Sequence, residues 1–236
     1  MTDESPRNRE SLMTDRHNSP PRHCLAACRH ATIVFAACGA LGAAEVSRRD
    51  LLLATEFVDG GFTYTVDSPI GSLSGSDSFD RIALLRLGGR WAWSTAGSSL
   101  APLAGIVGEY TDAPLSGGGL RGYGLAAVAG GTWAISDPLA LDLEGFVGLQ
   151  RVSINLPSSV SGGALDATGD QLRSGLRVRL GWHVARHWSL GLEGGFVHWS
   201  ADLSGGDGRS VSLDGSGPSV GLALAWRPSD RPGSIE

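Results

Sequence analysis

The residues best suited to catalysis in this sequence are a histidine and a serine two positions apart, in the string His198-Trp199-Ser200. Apolar and polar residues alternate over 188–202, which predicts a strand whose side chains at i and i+2 share a face. A serine becomes a nucleophile when a histidine takes its proton and an acid orients that histidine. The acids that could orient it are Asp202, Asp207 and Asp214. Ester hydrolysis is therefore one chemistry open to this chain.

Other common chemistries have no counterpart in the sequence. His183 and His187 are four residues apart, but they flank a predicted β-turn, where that spacing does not form a metal site. The sequence contains no phosphate-binding loop, no Cys/His cluster and no nucleophile elbow. Its net charge is −5, so it lacks the basic surface that nucleic acids require. We expect no cofactor, no metal and no nucleic-acid partner.

Beyond residue 50 the dominant period is two, which predicts an all-β chain. Eight strands are expected at about 51–66, 81–94, 100–112, 119–135, 138–154, 171–184, 188–202 and 217–227. Long connections rich in Gly, Ser and Asp (67–80, 155–170, 203–216, and the shorter 113–118) alternate with short turns (95–99, 136–138, 185–187). An even number of strands with loops on one side and turns on the other predicts an eight-stranded antiparallel up-and-down transmembrane barrel. In the first strand the apolar parity changes, and we expect a bulge at 59–61.

The two faces of the predicted strands differ in polarity. Over 171–184, Leu176, Val178 and Leu180 alternate with Arg177 and Arg179. If the apolar face meets lipid, the opposite face lines the interior. The charged residues predicted inside are Glu56, Arg86, Arg90, Glu109, Asp142, Glu144, Arg173, Arg177, Arg179 and Glu193. Five acids and five bases in so narrow a barrel must form ion pairs, which predicts a salt-bridged plug, with a proton-sensitive gated interior as the alternative.

Aromatic residues stand at the ends of the predicted strands. Tryptophan and tyrosine prefer the boundary between hydrocarbon and water, so this placement predicts two aromatic belts. The expected belt residues are Tyr64, Trp91, Trp93, Tyr110, Tyr123, Trp133, Trp182, Trp188, Trp199 and Trp226.

The first 44 residues have the features of an export signal. An apolar run over 31–44 follows basic residues and ends in Gly42-Ala43-Ala44, which predicts a signal peptide at 1–44 that is cleaved after Ala44. Met13 is an alternative start that would make 1–12 an extension. All three cysteines lie in this leader, and lipidation at Cys38 is an alternative to simple cleavage. The barrel would occupy 45–227, with a short periplasmic tail at 228–236.

The layout over 51–227 resembles the small eight-stranded outer-membrane barrels typified by the membrane domain of OmpA and by OmpX. The resemblance implies a charged, hydrogen-bonded interior and a place in the bacterial outer membrane. One feature departs from the family, whose members commonly end on an aromatic residue, because Trp226 is followed here by ten more residues.

The His198-Trp199-Ser200 string is similar to the His-x-Ser element of outer-membrane lipid A deacylases, but the Asn-x-Gly run that follows it in that family is missing.

We therefore expect a monomeric, non-enzymatic outer-membrane barrel with a structural or surface-interaction role. Its expected partners are outer-membrane lipid, lipopolysaccharide and the barrel assembly machinery, and the sequence names no extracellular partner. Two alternatives stay open besides the deacylase. A soluble β-barrel that binds a small apolar ligand would turn the same leucines inward, and a β-propeller is suggested only by the spacing of the tryptophans.

Overall fold

A computed structural model describes residues 46–79, 81–93, 99–115, 117–156 and 164–228. The predicted signal peptide, Met13 and Cys38 lie outside these residues. Within them the chain forms ten β-strands, namely β1 (Val46–Val58), β2 (Gly61–Ser68), β3 (Gly71–Ser78), β4 (Ile82–Trp93), β5 (Leu100–Leu115), β6 (Gly118–Ser136), β7 (Leu139–Leu156), β8 (Leu165–Ala185), β9 (Trp188–Gly205) and β10 (Ser210–Trp226). No helix in the described part of the chain is long and apolar enough to cross a membrane.

Eight of the strands close into a ring. The order is β1-β4-β5-β6-β7-β8-β9-β10, every neighbouring pair is antiparallel, and β1 pairs with β10 to complete the circle. The prediction of an eight-stranded up-and-down barrel is therefore confirmed. Strands β2 and β3 form a hairpin that continues the sheet from β10 at one end of the ring.

Strands β1 and β2 lie one after the other along β10 without a change of register. Val58 pairs with Ser219 and Gly61 with Ser216, so two residues separate the pairs on each side. The predicted bulge at 59–61 is therefore wrong. Pro218, which has no amide hydrogen, lies in the break, and its carbonyl accepts a hydrogen bond from the Asp59 amide at 3.0 Å.

Strands β5 to β10 are longer than predicted, whereas the first predicted strand, 51–66, is divided into β1 and β2, and β3 lies within the expected loop 67–80. The β7–β8 pairing runs as far as Leu156 with Leu165, and the β9–β10 pairing as far as Ser204 with Ser210. Most described residues of the expected loops at 67–80, 155–170 and 203–216 are strand. Their Gly, Ser and Asp residues are typical of loops, but in β2, β7, β8, β9 and β10 these alternate with buried apolar residues on the other face, whereas β3 has no buried residue.

The polarity of the two faces reverses along the barrel. On the inner face of β8, Arg177 and Arg173 are buried, and farther along the same face Ala167 and Leu165 are buried instead. We call the end with inward charges and outward leucines the lower section, and the end with inward apolar residues the upper section. The reversal explains the parity change in the first predicted strand, because Phe57 points outward in the lower section and Phe62 points inward in the upper section.

The interior of the upper section is a packed hydrophobic core. Phe62 stacks on Phe79 with ring centroids 4.4 Å apart. The indole ring of Trp199 packs against the backbone of β10 at Gly215. A Cβ atom added at Gly215 would come within 2.6 Å of that ring. The upper section is thus built as a soluble β-barrel is built, with apolar residues inside and polar residues outside.

Candidate functional site

The structure brings all ten predicted interior charges together inside the lower section. None of these residues is more than 4 % exposed. Six further polar residues outside the predicted set are also buried on the inner face: Asp50, Thr111, Thr132, Gln150, Gln171 and Ser219. Asp50 precedes the predicted first strand, but it has the same parity as Glu56, and that signal could have identified it.

The lowest cluster centres on Arg90. Its guanidinium lies 3.2 Å from the Asp50 carboxylate and 3.2 Å from that of Asp142, and it also donates to Glu144. Arg179 donates to Asp142 and lies 3.3 Å from Glu144. Two arginines therefore share three carboxylates, and the third positive charge comes from the partly exposed Arg227, whose Nε lies 3.5 Å from Asp50 Oδ1.

The middle cluster joins strands from opposite sides of the ring. Arg177 Nε donates to Glu56 Oε2 at 3.0 Å, and its guanidinium carbon lies 3.6 Å from the centre of the Phe146 ring. Arg86 lies 3.4 Å from the same Glu56 oxygen and also donates to Glu193. These contacts connect residues up to 121 positions apart in the chain.

The top cluster lies at the boundary between the two sections. Glu109 accepts hydrogen bonds from Arg173 at 2.9 Å and from Gln150 at 3.0 Å, and Thr111 donates to Gln150 Oε1 at 2.8 Å. Directly above, Val197 and Trp199 begin the apolar core. The interior thus changes within one layer of side chains from paired charges to hydrocarbon.

Six of the ten predicted belt aromatics are exposed on the outer wall of the lower section: Trp91, Tyr110, Tyr123, Trp182, Trp188 and Trp226. Trp93 and Trp133 are half-buried. Tyr64 and Trp199 are placed differently, and their assignment to a belt is wrong. Both lie in the upper section on the inner face, where Trp199 is only 3 % exposed and Tyr64 packs against the core.

His198 points outward from β9, just above the outward Phe196, and Ser200 lies on the same face. His198 Nε2 is 3.8 Å from Asp214 Oδ2, and Ser200 pairs with Asp214 across the β9–β10 ladder. The other two predicted acids have different partners. Asp202 accepts a hydrogen bond from Ser212 at 2.8 Å, and hydrogen bonds from Arg209 lower the pKa of Asp207.

The described residues contain no group of three or more His, Cys, Asp or Glu side chains arranged to hold a metal ion. The site residues are therefore of two kinds. One is a sealed ionic network within the lower section. The other is an exposed His198–Asp214 pair with a neighbouring serine on the outer surface, and only this second group is open to a ligand from solution.

No protein family and no curated protein matches this sequence. Among solved structures it is similar to Neisserial surface protein A, at 15% identity over 72% of this chain and 97% of that one, with a TM-score of 0.34. It is similar to Ail, the attachment invasion locus protein of Yersinia pestis, at 13% identity over 75% and 99% of the chains, with a TM-score of 0.34. The outer-membrane protease OmpT of Escherichia coli matches at 10% identity over 78% and 98%, with a TM-score of 0.32. The eight-stranded antiparallel ring is established by the strand pairing of this chain, independently of these likenesses.

Proposed function

We propose that this chain is a bacterial outer-membrane protein whose lower section crosses the bilayer and whose upper section projects outside the cell. The observation that carries this proposal is the apolar outer wall around a charged interior. Leu87, Leu125, Leu149, Leu176 and Leu222 are each 60–65 % exposed. A continuous belt of this kind is unfavourable in water and favourable against acyl chains.

The same observation counts against a soluble barrel that binds an apolar ligand. Such a barrel needs its leucines inside and its arginines in water. The upper section meets this requirement, but the lower section has the opposite arrangement over its whole circumference. A chain with both arrangements suits two solvents, lipid below and water above.

The interior supports a structural or surface-interaction role rather than a diffusion pore. In the lower section the charged side chains pair with one another across the lumen, and in the upper section the apolar core fills it. In this proposal the short turns and the tail at 228–236 face the periplasm. The leader at 1–44 directs export, the assembly machinery inserts the barrel, and lipid and lipopolysaccharide surround it.

The test is expression with the native leader in a Gram-negative host, followed by membrane fractionation and gel migration with and without boiling. We expect the protein in the outer membrane, and we expect unboiled samples to migrate faster because the barrel stays closed in detergent. Protease added to intact cells should reach only the upper section. A protein that purifies from the soluble fraction without detergent would contradict the proposal.

A second candidate function is hydrolysis of an acyl ester in the outer leaflet, and the His198–Asp214 contact favours it. Asp214 would orient the imidazole, His198 would take the proton of Ser200, and the serine oxygen would attack the ester carbonyl. The alcohol would leave with the proton returned by His198, and water would then release the fatty acid from the serine. The pair stands just above the apolar belt, so in the proposed orientation it would lie near the ester groups of the lipid.

Refolded protein incubated with lipopolysaccharide or phospholipid tests the second candidate. Release of fatty acid that is lost in Ser200→Ala and His198→Ala, and kept in Ser204→Ala on the same outer face of β9, would establish it. If the unmodified protein releases no fatty acid from either lipid, the chain is not an esterase.

A further inference from the structure

The outer face of the upper section is unusual in the length of its side chains. Along β10, β2 and β3 the outward positions carry Ser, Thr, Asp or Gly. Surface strands commonly carry long charged residues, which lose much side-chain entropy when they bind a ligand, whereas short hydroxyl and carboxylate groups lose little. This face is therefore suited to polar recognition.

A cleft of about 530 Å³ opens in this face. The outward residues that line it form a grid of three strands and two rows, with Ser216, Gly61 and Ser78 in one row and Asp214, Thr63 and Ser76 in the other. Gly61 leaves a hollow between two serines. Because neighbouring strands are about 4.8 Å apart, those serines stand about 9.6 Å apart, which is room for one sugar ring.

Packing does not require glycine at the centre of the cleft. A Cβ atom added at Gly61 would meet only the Asp77 carbonyl oxygen at 3.5 Å, an ordinary contact distance. At Gly215, one residue from the grid on β10, an added Cβ would strike the Trp199 ring. The hollow at Gly61 is thus open space on the surface and not a site of close backbone approach.

The chemistry of the lining selects the class of ligand. Serine and threonine hydroxyls both donate and accept hydrogen bonds, and a carboxylate accepts two, which together match the adjacent hydroxyls of a sugar. Of the described residues that line the cleft, none is basic, so a phosphate or sulfate group finds no counter-charge there. Asp214 gives the cleft a negative charge, which suits a neutral or amine-bearing ligand.

We propose that this cleft, which we call the Gly61 cleft, binds a saccharide with free hydroxyl groups, either neutral or carrying an amine. The inference rests on the proposed function in one respect, since the upper section meets extracellular glycans only if it faces outward. The inference names the class of partner, a saccharide, which the proposed surface-interaction role leaves unspecified.

The experiment uses the full chain refolded in lauryldimethylamine oxide, because detergents with sugar headgroups would compete for the cleft. Maltohexaose, a glucosamine tetramer and heparin are titrated separately and followed by calorimetry. We expect saturable binding of maltohexaose and of the glucosamine tetramer, with the tetramer tighter, and no binding of heparin. If neither maltohexaose nor the tetramer binds at millimolar concentration, the inference is wrong.

Variants locate the site. Thr63→Val with Ser76→Ala removes two facing hydroxyls in the cleft, and we expect affinity to fall about tenfold or more. The matched control is Thr65→Val with Ser74→Ala, the next outward pair on the same two strands, whose hydroxyls are 3.0 Å apart outside the cleft lining. Gly61→Val should fill the hollow and abolish binding. Equal losses in the two double variants would place the sugar elsewhere and overturn the proposal.

The two proposals fail separately. A barrel that reaches the outer membrane and binds neither sugar overturns the Gly61 cleft alone. Sugar binding by refolded protein that does not reach the outer membrane in cells supports the cleft and overturns the proposed function. Heat-dependent migration on gels shows in each variant that the barrel has folded.

Discussion

The guanidinium carbon of Arg177 lies 3.6 Å from the centre of the Phe146 ring, so the arginine is held between an aromatic face and the Glu56 carboxylate. Arg173 approaches the same ring at 5.9 Å. The ring is 2 % exposed and sits among the buried charges of the lower section. It keeps two like charges apart while it offers each of them a favourable contact.

Replacing Phe146 with leucine should lower the free energy of unfolding by about 2 kcal/mol or more, because a desolvated cation–π contact is lost together with packing. Unfolding in urea from lipid vesicles measures this. Phe196→Leu, on the outer wall, is the control and should cost clearly less. Equal costs would mean that the ring contributes only apolar area.

Glu56→Gln should cost about 3–5 kcal/mol, because Arg177 and Arg86 would keep their buried charges with one counter-charge removed. Asp112→Asn is the surface control. Its partner Arg121 is 77 % exposed, so loss of that pair should cost about 1 kcal/mol or less. A small effect of Glu56→Gln in the same vesicle assay would show that water enters the interior.

Because the polarity of the outer face reverses along the barrel, an added charge on the outer face of β8 should destabilise the lower section and be tolerated in the upper section. Val178 and Thr168 both point outward from β8, in the lower and upper sections respectively. Val178→Arg should cost about 2–4 kcal/mol, because the charge would enter hydrocarbon, whereas Thr168→Arg should stay within about 0.5 kcal/mol. If vesicle unfolding gives similar values for both, the belt does not lie in the bilayer.

Trp199 should behave as a buried tryptophan outside the membrane. In a variant that keeps only Trp199, with the other tryptophans replaced by phenylalanine, neither brominated acyl chains nor iodide should quench the fluorescence, since the ring is enclosed in the upper core. A variant that keeps only Trp182, which is 56 % exposed, should be quenched by brominated lipid. Strong lipid quenching of Trp199 would return it to the predicted belt.

The parts of the fold that were predicted correctly depend on local alternation. Leu176, Val178 and Leu180 between the arginines of β8 are enough to assign a strand and to separate its two faces, because side chains alternate with a period of two. The same pattern placed His198 and Ser200 on one outward face. None of these inferences needs knowledge of a partner strand.

The errors share one cause, which is that alternation does not say which face is inside. In the upper section the inward residues are apolar and the outward ones are mostly Ser, Thr and Asp. This composition is typical of loops, so the sequence predicted loops there. The same reversal made Trp199 look like a belt residue and led us to expect a bulge before Phe62. Strand β8 does not have one lipid-facing side and one charged lumen-facing side over its whole length. The polarity of its two faces reverses near Gln171, so an assignment that holds below this residue fails above it.

The sequence by itself determined the eight strands of the ring and the charged character of the lower interior, because these follow from periodicity and composition, but it missed β3 and the apolar upper interior. Only the tertiary structure decided that Arg177 meets Glu56, that Asp214 is the acid beside His198, and that Gly61 opens a cleft. Those pairings depend on ring closure and register, which bring Arg177 to Glu56 across 121 positions and Asp214 to Thr63 across 151, and which no local pattern encodes.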